Sequence, residues 1–82
     1  MDELLSTREM GWILAKSPEA IRRMIREGEI EGVRVPGAIR VPKAEALKAA
    51  RQRIEAEAGR KVSDRELEEL IDKVISTNEG GP

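Results

Sequence analysis

The side chains of this 82-residue chain that are best suited to chemistry are arginines, grouped in two short segments. Arg22, Arg23 and Arg26 follow one another at helical spacing, whereas Arg34 and Arg40 flank a Pro-Gly sequence. A guanidinium donates paired hydrogen bonds to a phosphate or to the edge of a guanine. The residue types therefore indicate binding of an anionic, hydrogen-bonding surface.

The sequence gives little support to catalysis. The chain has no Cys and no His, which excludes thiol nucleophiles, imidazole bases and the usual zinc sites. A set of carboxylates falls on one charged helix near the C-terminus, where no cleft is predicted: Asp64, Glu66, Glu68, Glu69 and Asp72. We therefore expect no enzyme activity, no cofactor and no metal site.

Composition predicts one small domain whose charge is unevenly distributed. Hydrophobic residues make up 39% and charged residues 38%, with a formal net charge of −1. Basic residues outnumber acidic ones by seven to four in residues 16–43, and acidic residues outnumber basic ones by six to two in residues 62–79. An anionic partner would therefore meet one local face of the protein.

No hydrophobic segment suggests a membrane span or a secretion signal. The longest apolar run covers residues 12–15, against the roughly 20 residues that a bilayer requires. The first ten residues have an acidic start and no basic-then-apolar pattern. We therefore expect a cytoplasmic protein, associated with the nucleoid if its partner is DNA, and no membrane partner.

Two short helices are predicted near the N-terminus, with almost no linker between them. Residues 6–9 form a capping box, and the helix that they open should end near Lys16. Ser17 is an N-cap and Pro18 suits the first position of a second helix over residues 18–27. Gly28 suits its C-terminal closure. Helices this close along the chain must cross steeply.

The hydrophobic period then changes from helical to alternating. Residues 33–35 and 39–41 are β-branched triplets, and residues 36–38 separate them. This pattern predicts a small two-stranded hairpin. The valines and Ile39 are expected on one face, with Arg34 and Arg40 on the other.

Two further helices complete the predicted fold. The third covers residues 43–58 and stops at Gly59, and a second capping box at residues 63–66 opens the fourth. The fourth helix carries an apolar stripe whose partner is either the third helix or another chain: Leu67, Leu70, Ile71 and Val74. Residues 77–82 are predicted to be a flexible polar tail.

The predicted fold is mostly α with a small two-stranded antiparallel β-hairpin, in the order H-H-β-β-H-H. A helix-turn-helix followed by a wing accounts for this order and for the positions of the arginines. Residues 1–47 would form that unit. Residues 48–76 would form a helical extension for packing or self-association.

Residues 4–47, LLSTREMGWILAKSPEAIRRMIREGEIEGVRVPGAIRVPKAEAL, resemble the excisionase/MerR-type winged helix-turn-helix family. The resemblance includes both caps, Gly28 and both hairpin triplets. It implies a bacterial or phage DNA-binding protein that reads the major groove with residues 18–27 and uses the hairpin as a wing. The residues that it implies as DNA-binding are Ser17, Glu19, Arg22, Arg23 and Arg26 in the helix, and Arg34, Arg40 and Lys43 in the wing.

Three positions depart from the pattern of that family. Lys16 replaces a small apolar residue at the turn, and Ala20 stands where the family often has Thr. Trp12 occupies a position that is usually polar and outward. Exposing a Trp side chain to water is costly, so we expect Trp12 to be covered, either by the C-terminal helices or by a neighbouring subunit.

The sequence thus predicts a sequence-specific double-stranded DNA-binding protein, acting as a small transcriptional regulator. A single module contacts few base pairs, so we expect a homo-oligomer or cooperative binding on adjacent sites. The acidic C-terminal helices are expected to mediate self-association or to recruit a protein. The alternatives are an architectural excisionase, a phage DNA-packaging recognition subunit, or a protein–protein adaptor that uses the Trp12 face and the acidic helix.

Overall fold

The computed structural model describes residues 3–79, which form four helices and three short strands. The protein is mostly helical, with one small antiparallel sheet in the strand order β1-β3-β2. The elements in chain order are β1 (Leu4–Ser6), α1 (Thr7–Leu14), α2 (Pro18–Arg26), β2 (Val33–Val35), β3 (Ala38–Pro42), α3 (Lys43–Ala58) and α4 (Asp64–Glu79).

The first strand is a correction to the predicted order H-H-β-β-H-H. Strand β1 pairs antiparallel with β3, with Leu5 opposite Val41, so the sheet has three strands where two were expected. The backbone N–H of Lys43 also donates to the carbonyl of Glu3 at 2.8 Å. Leu4, Leu5 and Ser6 show no β-branched, alternating pattern, and their partner strand lies far along the chain. The sequence around Leu5 therefore showed only the helix cap that follows.

The register of the hairpin is also a correction. Strands β2 and β3 are joined by Pro36 and Gly37 alone, so Val35 pairs with Ala38 and Arg34 pairs with Ile39. Gly37 has a φ of 75°, which suits the position after proline in a type II turn. The expected three-residue connection would shift the pairing by one residue, and such a shift moves side chains to the opposite face. Arg34 and Arg40 consequently lie on opposite faces of the hairpin.

Helix α4 packs within the chain, against both α1 and α3. Of its predicted stripe, Leu67 and Ile71 are buried in the core, whereas 37% of Leu70 is exposed. Val74 is half-buried against the same core. The largest fully buried side chains come from α1, α2, the loop after α2, β3 and α4: Met10, Ile21, Ile30, Val41, Leu67 and Ile71.

The helices do not follow the predicted division of the chain. The boundary after residue 47 falls inside α3, whose Ala46 and Ala50 both lie in the shared core. Helix α4 includes residues 77–79, which were expected to belong to a tail. The last three residues of that predicted tail, 80–82, lie outside the described part of the chain, as do residues 1 and 2.

A polar cluster fixes the loop between α3 and α4. The Glu55 carboxylate accepts a hydrogen bond from the Val62 N–H at 2.9 Å and pairs with Arg51, which also contacts Asp64. The hydrogen bond from Val62, together with Arg51, lowers the pKa of Glu55. These contacts set the direction in which the chain enters α4.

Candidate nucleic-acid interface

Helix α2 presents one apolar face to the core and one charged face outward. The Ser17 hydroxyl caps the helix by accepting from the Ala20 N–H at 3.1 Å, and Pro18 occupies its first turn. Ile21 is fully buried, which fixes the rotation of the helix about its axis. The outward face carries four charged residues at the spacing i, i+3, i+4, i+7, namely Glu19, Arg22, Arg23 and Arg26. All four are exposed.

The tight turn before α2 depends on Gly11, a residue that the sequence analysis did not single out. A Cβ atom on Gly11 would lie 2.5 Å from the carbonyl oxygen of Lys16. Ala15 ends α1 in the left-handed conformation at a φ of 56°, and the Lys16 N–H donates to the Gly11 carbonyl at 2.9 Å. The only sequence signal was a glycine inside an otherwise amphipathic helix. The Lys16 side chain itself is exposed.

An open cleft of about 470 Å³ separates α2 from the hairpin, and we call it the arginine cleft. Three of its lining side chains are arginines, Arg22 from α2 and Arg34 and Arg40 from the hairpin, and no carboxylate lines it. The remaining lining residues are Thr7, Val35, Gly37, Ala38 and Ile39. The structure thus brings together arginines from the two segments that the sequence had grouped separately.

The two hairpin arginines contribute differently to this cleft. Ile39 faces α2, because its side chain meets that of Ile25 beside Gly32. A Cβ atom added to Gly32 would lie 2.9 Å from the Cγ2 atom of Ile25 and 3.3 Å from that of Ile39. Arg34 is paired with Ile39 and therefore shares this face. Arg40 is paired with Val33 on the opposite face, and its Nη1 donates to the neighbouring Ile39 carbonyl at 3.2 Å. Arg34 is thus the hairpin cation on the strand face that is turned toward α2.

The arginines differ in how far carboxylates neutralise them. Arg22 pairs with Glu19 at 3.1 Å, and this pair is exposed. Within residues 3–79, no carboxylate lies within 4 Å of Arg23, Arg26 or Arg34. Those three guanidiniums therefore remain available to an external anion.

Five of the eight predicted DNA-binding residues do not line the arginine cleft, namely Ser17, Glu19, Arg23, Arg26 and Lys43. The Lys43 ammonium is 3.5 Å from the Glu3 carboxylate, and Lys43 begins α3 beside β1. Arg23 lines a different concavity, together with Lys16, Ala20, Met24, Glu27 and Glu29. The predicted set therefore divides into a cleft group, the open face of α2, and Lys43 at the edge of the sheet.

Trp12, a residue of α1, is half-buried near the end of α4. The guanidinium carbon of Arg8 lies 6.0 Å from the centre of its ring. Asn78 and Glu79 of α4 line the same cleft as Trp12. The end of α4 thus lies across this cleft from Trp12.

Neither a metal cluster nor a membrane-spanning helix is found in the described part of the chain. Residues 3–79 contain no group of three or more potential metal ligands. None of the four helices combines the length and the apolar character that crossing a bilayer requires. Comparison with protein-family models, with curated proteins and with solved structures found no match to this chain.

Proposed function

We propose that this protein binds double-stranded DNA in a sequence-specific manner, as a winged helix-turn-helix of the excisionase/MerR type. The observation that carries the proposal is the arginine cleft, in which Arg22 of α2 and Arg34 of the hairpin face a common space free of carboxylates. A duplex offers phosphates at regular intervals beside its grooves, and guanidiniums bind them in bidentate geometry. The resemblance of residues 4–47 to that family supports the same conclusion.

The dimensions of α2 suit the major groove. An α-helix with its side chains is about 10–12 Å across, and the major groove of B-DNA is about 12 Å wide. With Ile21 facing the core, the exposed face turns Arg22, Arg23 and Arg26 toward the bases and the flanking phosphates. Arginine paired with guanine is the commonest specific contact in that groove.

The hairpin would then lie over the adjacent backbone or minor groove. Arg34 shares the hairpin face that is turned toward α2, so a strand entering the arginine cleft passes between the two elements. A narrow minor groove has an enhanced negative potential that attracts Arg. In this arrangement α2 reads sequence, and the hairpin adds affinity and fixes the register on the duplex.

A regulator built from this module needs more than one copy on its site. One short helix and one hairpin contact few base pairs, and useful affinity then requires neighbouring sites. The outward surface of α4 is rich in carboxylates and would be repelled by DNA, so we assign it to protein contacts. Acidic positions on this surface are Glu68, Glu69 and Asp72.

The proposal is tested by selecting bound sequences from a random duplex library and measuring affinity over a series of salt concentrations. A protein that neutralises about five phosphates gives a slope of log K against log salt near −4 to −5. The variant with Arg22→Ala and Arg23→Ala should lose binding. A matched control, Lys73→Ala on α4, should retain it.

Two results would redirect the proposal. Selected sites arranged as direct repeats, with bending of the duplex, would favour an architectural or packaging role over transcriptional regulation. A flat salt response, or no binding to any duplex, would contradict DNA binding. It would favour an adaptor whose partner meets the cleft lined by Trp12 and Glu79.

A further inference from the structure

The start of α1 forms part of the wall of the arginine cleft. Thr7, the first residue of α1, lines the cleft and is only 9% exposed. Within residues 3–79 the Thr7 hydroxyl makes no hydrogen bond. Every fully buried side-chain oxygen or nitrogen in these residues has a hydrogen-bond partner, so the unbonded Thr7 oxygen is not fully buried. The Thr7 hydroxyl therefore keeps accessible surface and has an unused donor, on a residue that lines the cleft.

The backbone at this point adds two further donors. Ser6 caps α1 by accepting from the Glu9 N–H at 3.0 Å, and Glu9 in return accepts from the Ser6 N–H. The N–H groups of Thr7 and Arg8 lie in the first turn, where an α-helix offers them no internal acceptor. These groups also stand at the positive end of the helix dipole.

The charge of the cleft selects an anion. Three arginines and no carboxylate line it, whereas the concavity on the other side of the hairpin base includes Glu29, Glu31 and Glu45. A volume of about 470 Å³ accommodates one tetrahedral oxyanion with several water molecules.

We propose that the arginine cleft is a binding site for a single phosphate group, which accepts hydrogen bonds from the Thr7 hydroxyl and from the guanidiniums of Arg22 and Arg34. The inference rests on the proposed function, because in a complex the phosphate belongs to the DNA strand that passes between α2 and the hairpin. Free inorganic phosphate has the same chemistry and would occupy the same place. Arg40 contributes less to phosphate binding, because its guanidinium is already bonded to the Ile39 carbonyl.

The first test is a titration of the full chain with inorganic phosphate, followed by amide NMR, against sodium chloride at matched ionic strength. Phosphate should produce saturable shifts at Thr7, Arg22 and Arg34 that chloride does not reproduce. Thr7→Val preserves shape and removes the hydroxyl, so it should weaken phosphate binding about fivefold to tenfold. Thr7→Ser should restore binding, and the control Thr77→Val on α4 should behave as the unmodified protein.

The second test uses the selected duplex with one methylphosphonate at a time along its backbone. Neutralising the phosphate that enters the cleft should weaken DNA binding by the unmodified protein. On that duplex Thr7→Val should cause no further loss, whereas on duplexes modified at other positions it should still weaken binding. Should Thr7→Val not fold, Thr7→Ser and the methylphosphonate scan in the unmodified protein still locate the contact.

The outcomes separate this inference from the proposed function. Phosphate shifts at Thr7 without binding to any duplex would contradict DNA binding and support a free-phosphate site. Duplex binding with an unaffected Thr7→Val variant and no phosphate-specific shift would overturn the phosphate site and leave the proposed function standing. An equal loss for Thr7→Val on every modified duplex would also overturn it.

Discussion

Arg34 lies directly opposite Ile39 in the β2–β3 ladder, so the two side chains share one face of the hairpin. Ile39 is turned toward Ile25 of α2, and Arg34 therefore extends the same surface toward the helix. Arg40 lies one residue further along β3 and belongs to the other face. This pairing, which depends on a two-residue turn, decides which hairpin cation can act together with α2.

The two hairpin arginines should consequently differ in their contribution to DNA affinity. Arg34→Gln should weaken binding about tenfold and reduce the magnitude of the salt slope by about 1. Arg40→Gln should change affinity by less than about threefold, because the Arg40 guanidinium is already bonded to the Ile39 carbonyl. Fluorescence anisotropy on one selected duplex measures both variants. Equal losses would contradict the division of the hairpin into two faces.

In the proposed complex, Glu19 would compete with DNA for Arg22, to which it is bound at 3.1 Å. Glu19→Gln should therefore raise DNA affinity about twofold to threefold near 0.1 M salt, with a smaller gain at higher salt because the pair is exposed. Glu68→Gln on α4 is the control and should leave affinity unchanged. A loss of affinity confined to sites with one particular base pair would instead indicate that Glu19 reads cytosine.

Gly11 is required by the close approach of the Lys16 carbonyl oxygen, 2.5 Å from the position of an added Cβ. The obstacle is backbone, which cannot move without opening the turn between α1 and α2. Gly11→Ala should therefore lower the free energy of unfolding by about 2–3 kcal/mol, as measured by urea denaturation. Ala20→Gly, at a half-buried position of α2, is a comparison in which helix propensity alone predicts about 1 kcal/mol. A neutral Gly11→Ala variant would show that the turn relaxes easily.

Leu67 and Leu70 test the packing of α4 within one chain. Leu67 is fully buried in the core, whereas 37% of Leu70 is exposed. Leu67→Ala should cost about 2–4 kcal/mol in the free energy of unfolding, and Leu70→Ala well under half as much. Chemical denaturation at two protein concentrations provides the measurement. A strong effect of Leu70→Ala that shrinks on dilution would reveal an interface between chains at this position.

The Glu55 cluster gives the stability a dependence on pH. The Val62 N–H and Arg51 lower the pKa of Glu55 in the folded state, so its carboxylate stabilises the fold above the ordinary Glu value of 4.5. That contribution is lost as the pH falls through the lowered pKa. The melting temperature of Glu55→Gln should lie below that of the unmodified protein at pH 7. The difference should shrink steadily below about pH 4.5. A difference independent of pH would indicate a steric effect of the substitution.

The fourth helix shows how much of the fold is predictable from local sequence. Its capping box at residues 63–66 correctly placed its beginning, because the Ser63 hydroxyl accepts from Glu66 only three residues away. Its end was placed too early, because polar residues 77–79 carry no stop signal of their own and the helix continues through them. Whether its apolar stripe packs within the chain depends on the positions of α1 and α3. The sequence of the helix itself does not distinguish this packing from contact with another chain.

By itself, the sequence determined the four helices, the position of the hairpin and the clustering of arginines in two segments. Each of these rests on interactions between residues a few positions apart, such as Ser6 with Glu9 and Ser17 with Ala20. Tertiary structure alone decided the pairing of β1 with β3, the faces of Arg34 and Arg40, and the opening of Thr7 into the arginine cleft. The physical reason is that strand pairing and register join distant segments, and one residue of register reverses the direction of every side chain on a strand.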